Sequence, residues 1–156
     1  RAQIENGAHA TCIGESFASP DVISPEYYRK FAFSYEKELG SFLEEDKVIW
    51  ALHICGDATK ILKDMDNTKA SILEIDYKAD LEAAKEKIKN STILGTINPM
   101  SFLKSPEDVK KEAKENIKLL GGSGRFILSS GCVLSSETPS KNLHALLEVV
   151  EEYGEY

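Results

Sequence analysis

His53 and Cys55 stand two residues apart at the end of the apolar run VIWALHIC, residues 48–55. On an extended strand that spacing puts an imidazole and a thiol on one face. The pair alone has two readings: a packed histidine beside a cysteine acting as a small apolar group, or half of a metal site. A second thiol, Cys132, also closes an apolar run, FILSSGC at 126–132. One imidazole nitrogen and two thiolate sulfurs are a donor set that suits tetrahedral Zn²⁺. Three protein donors leave a fourth position free, the pattern of a catalytic rather than a closed structural zinc. No local zinc-ribbon spacing is present, so the set forms only if the fold gathers separate strand ends.

Other residues offer chemistry with more than one reading. Glu74 and Asp76 share a face of SILEID, residues 71–76, by the same two-residue rule. Asp76 is nearer the strand end. It reads as a fourth ligand when no substrate is bound, as a partner orienting His53, or as a solvated carboxylate. Glu15, after the first apolar run, carries the same choice between ligand contact and surface charge. Asn98, before Pro99, either holds a turn or contacts a substrate. Cys12 lies inside a strand rather than at its end and reads as core, as do Trp50, Tyr27, Tyr28, Phe31 and Phe33. His9 falls on a different face from Cys12 and receives no role, and His144 reads as a partly exposed helix residue. The GGSGR stretch at 121–125 precedes a strand, whereas a phosphate loop follows one and opens a helix. Helix termination accounts for it better.

These residues need a scaffold that brings strand ends to one place. Apolar runs predict strands over 8–13, 48–55, 71–76, 92–98 and 126–132. Helical spacing predicts helices over 24–45, 58–66, 80–90, 105–120 and 140–153. Ser24 and Ser105 each precede a proline, the pairing of an N-cap with a first helical position. Gly121 and Gly154 close two of the helices. Strand–helix alternation without hairpin signals implies parallel strands with right-handed crossovers. The strands read as continuously apolar, as expected when both faces are covered. Two α/β architectures fit: an open doubly wound sheet, or consecutive βα units of an eight-stranded TIM-type barrel. In both, the C-terminal ends of the strands form the active-site edge. Glu15, His53, Cys55, Asp76, Asn98 and Cys132 all gather at such ends. A complete barrel takes about 250 residues, so five units would be its C-terminal five eighths. With no linker or low-complexity stretch, residues 1–156 read as a single partial-barrel unit. The opening RAQIENGA reads as the end of a helix already under way, and the expectation is a piece of something longer.

The chain is 42% hydrophobic and 29% charged, with a formal net charge of −7. That balance argues against nucleic acid and anionic membrane surfaces, which need clustered Lys and Arg. No apolar run reaches the roughly 20 residues of a membrane span, and no signal-peptide pattern opens the chain. Cysteines at 12, 55 and 132 are odd in number and far apart, unlike a disulfide framework, so a reducing, cytoplasmic setting is expected.

The stretches GAHATCIGESFASPDVISPEYYRKFAFSYEKEL, HICGDATKIL, ILEIDYKADLEAAKEKI, GTINPMSFLKSPEDVKKEA and FILSSGCVLSSETPSKNLHALLEVVEEYG together resemble the uroporphyrinogen decarboxylase superfamily. The resemblance runs in order through nearly the whole chain. Within that superfamily, His-x-Cys followed by a distant Gly-Cys resembles the corrinoid-dependent branch, the methylcobamide:coenzyme M methyltransferases and their bacterial relatives. It implies a (β/α)8 barrel of which this chain matches the C-terminal half, with zinc at its mouth held by His53, Cys55 and Cys132. It also implies methyl transfer from a methylcobamide carried by a partner corrinoid protein to a small thiol such as coenzyme M, and places Asp76 where the family can set a carboxylate near the metal. Open sheet edges would favour self-association. Two other readings remain: a decarboxylase-type lyase without zinc, and a non-catalytic barrel portion that docks a corrinoid protein. The first would need cations for substrate carboxylates, yet the only arginines are Arg1, Arg29 and Arg125.

Overall fold

The computed structural model describes residues 2–154. Arg1, the first residue of RAQIENGA, lies outside the described residues, and Ala2–Glu5 is a single helical turn, α1. Five strands follow: β1 (Ala10–Gly14), β2 (Ile49–Ile54), β3 (Ile72–Ile75), β4 (Thr92–Ile97) and β5 (Phe126–Ser130). Each pairs in parallel with the next, in the order β1-β2-β3-β4-β5. Sheet order therefore equals chain order, and the reversal that defines a doubly wound sheet is missing. With every crossover running the same way, the connecting helices fall on one face. This is the arrangement of consecutive units of a (β/α)8 TIM-type barrel.

The helices are α2 (Pro25–Phe31) and α3 (Phe33–Glu45) after β1, α4 (Leu62–Asp66) after β2 and α5 (Leu81–Lys87) after β3, with α6 (Pro106–Leu120) and α7 (Ser140–Tyr153) after β4 and β5. Their starts follow from local chemistry. The side chains of Ser24, Asp80 and Ser105 accept hydrogen bonds from the backbone N–H of Tyr27, Ala83 and Asp108 respectively, satisfying donors that the first turn leaves unpaired. Among the described residues, no helix is long and apolar enough to cross a membrane.

One face of the sheet carries the core. Trp50, Leu52 and Ile54 of β2 and Leu73 and Ile75 of β3 are fully or almost fully buried under Tyr28, Ile61, Leu62, Met65 and Ala84. Trp50 also donates its indole N–H to the Lys69 carbonyl, 3.0 Å away. The α4 end is tied to the loop before β4 by one side chain. The Asp66 carboxylate accepts from the backbone N–H groups of Lys89, Asn90 and Ser91 at 2.9–3.0 Å, and from the Asn90 amide. Burial pushes its pKa up, but the Lys89, Ser91 and Asn90 donors outweigh that and hold the carboxyl below the usual range.

Four expectations need correction. The strands are not covered on both faces: Ile49 is 51% and Ile127 43% exposed, because every helix lies on the other side. Cys12 is exposed rather than core, for the same reason. Its register partner is Ala51, and two positions on Gly14 pairs with His53, so Cys12 shares the uncovered face. Tyr27 and Phe31 are also exposed, whereas Tyr28 is buried and Phe33 packs against the core. The helix expected over 24–45 breaks at Ala32, so its two halves do not present one continuous stripe. Trp50 is buried, as expected.

Candidate metal centre

β2 carries His53 at its fifth position, and Cys55 follows one residue past the strand end. Cys132 sits in the turn after β5, two residues beyond its last strand residue. Although 77 residues separate the two thiols, their sulfurs are 3.8 Å apart. His53 Nε2 lies 3.0 Å from Cys55 Sγ and 3.8 Å from Cys132 Sγ. All three ligand atoms fall within 4.8 Å of one another. Zinc bonds of about 2.3 Å to sulfur and about 2.0 Å to nitrogen, at tetrahedral angles, give edges of about 3.8 Å between sulfurs and about 3.5 Å between sulfur and nitrogen. The sulfur–sulfur edge matches, and the nitrogen–sulfur edges bracket their value. The donor set and its spacing fit zinc.

The neighbours determine what each ligand can do. His53 Nδ1 is 3.1 Å from the Glu74 carbonyl oxygen. A carbonyl only accepts, so Nδ1 carries the proton, and in the neutral ring Nε2 turns its lone pair towards the sulfurs. Glu74 Oε2 lies 3.7 Å from the same Nδ1. Asp76 does not touch His53 through any hydrogen bond; its buried carboxylate accepts from Gly56 N–H at 2.8 Å and from Lys78 N–H at 3.0 Å. It thereby fixes the backbone next to Cys55. Gly56 has φ +86, and a Cβ there would come within 2.3 Å of Asp21 Oδ2, so the turn after Cys55 requires glycine. On the other side, Gly131 donates its N–H to the Ile97 carbonyl at 2.7 Å. A Cβ on Gly131 would lie 2.6 Å from the Tyr77 nitrogen, so only glycine lets the chain before Cys132 come this close to β3. Burial raises the Cys132 pKa, the Val133 N–H opposes this, and the Cys55 sulfur and the Asp76 charge add to the rise.

The remaining candidates are outside the group of three converging ligand atoms, although Glu15 donates its backbone N–H to the His53 carbonyl at 2.8 Å. Glu15 lines a separate cavity with Ile13, Tyr35 and Glu36. Asn98 caps a 3-10 turn, its side-chain oxygen accepting from Met100 N–H at 2.9 Å. His9 and His144 are exposed, His144 on α7. Ser16, which the sequence places with Glu15 at the end of the first strand but gives no role, has its Oγ 3.2 Å from Cys55 Sγ. The signal existed only in the register: Gly14 pairs with His53, so Ser16 falls alongside Cys55. Sequence reasoning also favoured Asp76 over Glu74 as the His53 partner, because Asp76 is nearer the strand end.

Comparison with known proteins adds the following. The family model for uroporphyrinogen decarboxylase (URO-D) matches residues 1–153. The chain is 34% identical over 155 residues to the methylcobamide:CoM methyltransferase MtbA of Methanosarcina acetivorans, covering 98% of this chain and 44% of that protein. It is 33% identical to the methylcobamide:CoM methyltransferase MtaA of Methanosarcina barkeri, covering 97% and 44%. Against a uroporphyrinogen decarboxylase of Thermodesulfovibrio yellowstonii the identity is 25%, covering 97% and 43%. A solved methyltransferase structure from Methanosarcina mazei superposes with a TM-score of 0.86 at 29% identity, over 97% of this chain and 44% of that one. The chain thus spans less than half the length of these relatives.

Proposed function

The chain belongs to the uroporphyrinogen decarboxylase family, and from that premise we propose that it serves zinc-dependent transfer of a methyl group from a methylated corrinoid protein to a thiol such as coenzyme M. The observation that carries this reading is the convergence of His53 Nε2, Cys55 Sγ and Cys132 Sγ within 4.8 Å. The names of the relatives at 33–34% identity support it, against 25% for the decarboxylase above. The shortage of arginine counts against a decarboxylase pocket: of the described residues only Arg29 and Arg125 carry a guanidinium, and Arg29 is engaged with Asp64.

In this reaction the substrate sulfur attacks the methyl carbon on Co(III). The S–C bond forms, the Co–C bond breaks, and its electron pair stays on cobalt as Co(I). A free thiol near pKa 8.5 is only a few per cent ionised at pH 7. His53, Cys55 and Cys132 would hold a zinc ion, whose Lewis acidity would lower the pKa of a bound thiol so that its proton passes to solvent. The chain's own residues set the stage. The Glu74 carbonyl holds the His53 tautomer, Asp76 and Gly56 fix the backbone at Cys55, and Gly131 admits Cys132. Asp76 acts here through the backbone rather than as a ligand. The chain covers 44% of its methyltransferase relatives, and with His53, Cys55 and Cys132 it would supply the metal-holding part of the reaction. Its three free cysteines fit a reducing, cytoplasmic setting.

The test is zinc content of the purified chain beside a Cys55→Ser, Cys132→Ser double variant. The expected outcome is about one zinc per chain, lost in the variant. Zinc in neither protein would return His53 and Cys55 to packing roles.

A further inference from the structure

In the reaction proposed above, a methyl carbon approaching the metal centre meets three sulfurs: the substrate's and those of Cys55 and Cys132. Hydrogen bonding separates them. The Ser16 hydroxyl oxygen lies 3.2 Å from Cys55 Sγ. A thiolate ligand has no proton to give, so the hydroxyl donates to it. The Cys132 sulfur faces the Val133 N–H, whose hydrogen bond favours the charged form. A donor on a thiolate draws charge off the sulfur, and a sulfur so stabilised is a weaker nucleophile. Each protein sulfur thus carries a donor from its own chain.

Backbone bonds that need no metal hold Ser16 in place. Gly14 pairs with His53, and the Glu15 N–H donates to the His53 carbonyl at 2.8 Å, which carries the ladder one residue beyond β1. Ser16 then opens the 3-10 turn Ser16–Ala18, its carbonyl accepting from the Ser19 N–H at 3.3 Å. Further along, Asp21 Oδ2 accepts from the Asp57 N–H at 3.4 Å. The segment after β1 therefore runs beside residues 55–57. The hydroxyl arrives at Cys55 already oriented, the way outer groups tune a metal ligand.

Building on the zinc-held thiol transfer above, we propose that Ser16 is a positioning residue that helps decide which sulfur is methylated: its hydroxyl damps Cys55, as the Val133 N–H damps Cys132, and the substrate sulfur is left to attack. The test loads the purified chain, Ser16→Ala and Ser16→Thr with Zn²⁺ or Co²⁺, measures metal content, and challenges the zinc forms with methyl iodide. There a thiolate attacks the methyl carbon, the S–C bond forms, and iodide leaves with the C–I electron pair. Peptide mass spectrometry reads Cys55 and Cys132 separately. With metal content unchanged, Ser16→Ala should methylate Cys55 about fivefold faster, the worth of one hydrogen bond, and leave Cys132 at the parental rate. Its sulfur-to-cobalt charge-transfer band should move to longer wavelength, and Ser16→Thr should keep the parental rate and band. Metal-loaded Ser16→Ala with the parental band and Cys55 rate overturns the role of Ser16 and leaves the metal centre standing. Faster Cys55 methylation without a band shift makes Ser16 a mere shield, and metal loss or equal acceleration at both cysteines makes it a structural prop; either result overturns the proposal. A parent chain that takes up neither metal overturns the zinc reading and this proposal with it.

Discussion

The sheet has two faces built on opposite terms. On the helix-covered face, Leu52, Ile54, Leu73 and Ile75 are completely buried, and the Trp50 indole N–H finds a defined partner in the Lys69 carbonyl. On the other face, Cys12, Ile49 and Ile127 are exposed, and the residues able to do chemistry stand at its C-terminal edge. The strands are shared, so alternation along β2 sends Trp50, Leu52 and Ile54 to one face and His53 to the other. Stability and chemistry thus occupy alternate residues of the same strand. A substitution's effect should depend on its parity more than on its position along the chain.

Leu52→Ala tests that contrast most severely. It empties a fully buried site on the covered face and should cost about 2–5 kcal/mol in urea unfolding. Asp66→Asn, which weakens the clasp on residues 89–91, should cost less, about 1–3 kcal/mol. Because the folded Asp66 pKa lies below its ordinary value, its contribution is complete above the unfolded pKa and is lost as pH falls through the lower folded one. Urea midpoints between pH 5 and 2 should therefore fall less steeply in the Asn variant. Glu36 has the reverse sign. Its folded pKa, about 7 against 4.5, means stability is highest below pH 4.5 and declines as pH rises through about 7. Glu36→Gln should flatten that decline, and an unchanged slope would show that the carboxyl stays solvated. The smallest effect belongs to the open face: Ile49→Ser should shift stability by no more than about 0.5 kcal/mol. A loss comparable to that of Leu52→Ala would mean that this face is covered in solution.

The alternation of strands and helices was readable because each element carries its own local signals. The Ser24–Pro25 and Ser105–Pro106 starts are caps whose hydrogen bonds are made within three residues. The meeting of His53, Cys55 and Cys132 was readable only through the rule that parallel strand ends share an edge. What escaped was anything that depends on register or on which face a helix covers. Cys12 looked like core because a strand's alternation does not say which side is packed. Ser16 and Glu74 went unassigned because their distances to Cys55 and His53 follow from how neighbouring strands align. The break at Ala32 carries no glycine or proline to announce it.

The matching of sheet order to chain order bears on how the molecule assembles itself. Each strand finds its partner one unit away, as in Ala10 with Ile49, Ala51 with Ile72, and Ile72 with Thr92. Such near-neighbour pairing keeps loop-closure costs modest, and the sheet can grow one unit at a time as the chain emerges during synthesis. The proposed metal ligands break that pattern, since Cys132, in the turn after β5, meets Cys55 across 77 residues and would do so only once β5 has docked on β4. Zinc uptake during refolding would then report the arrival of the final unit, after the earlier strands have already paired.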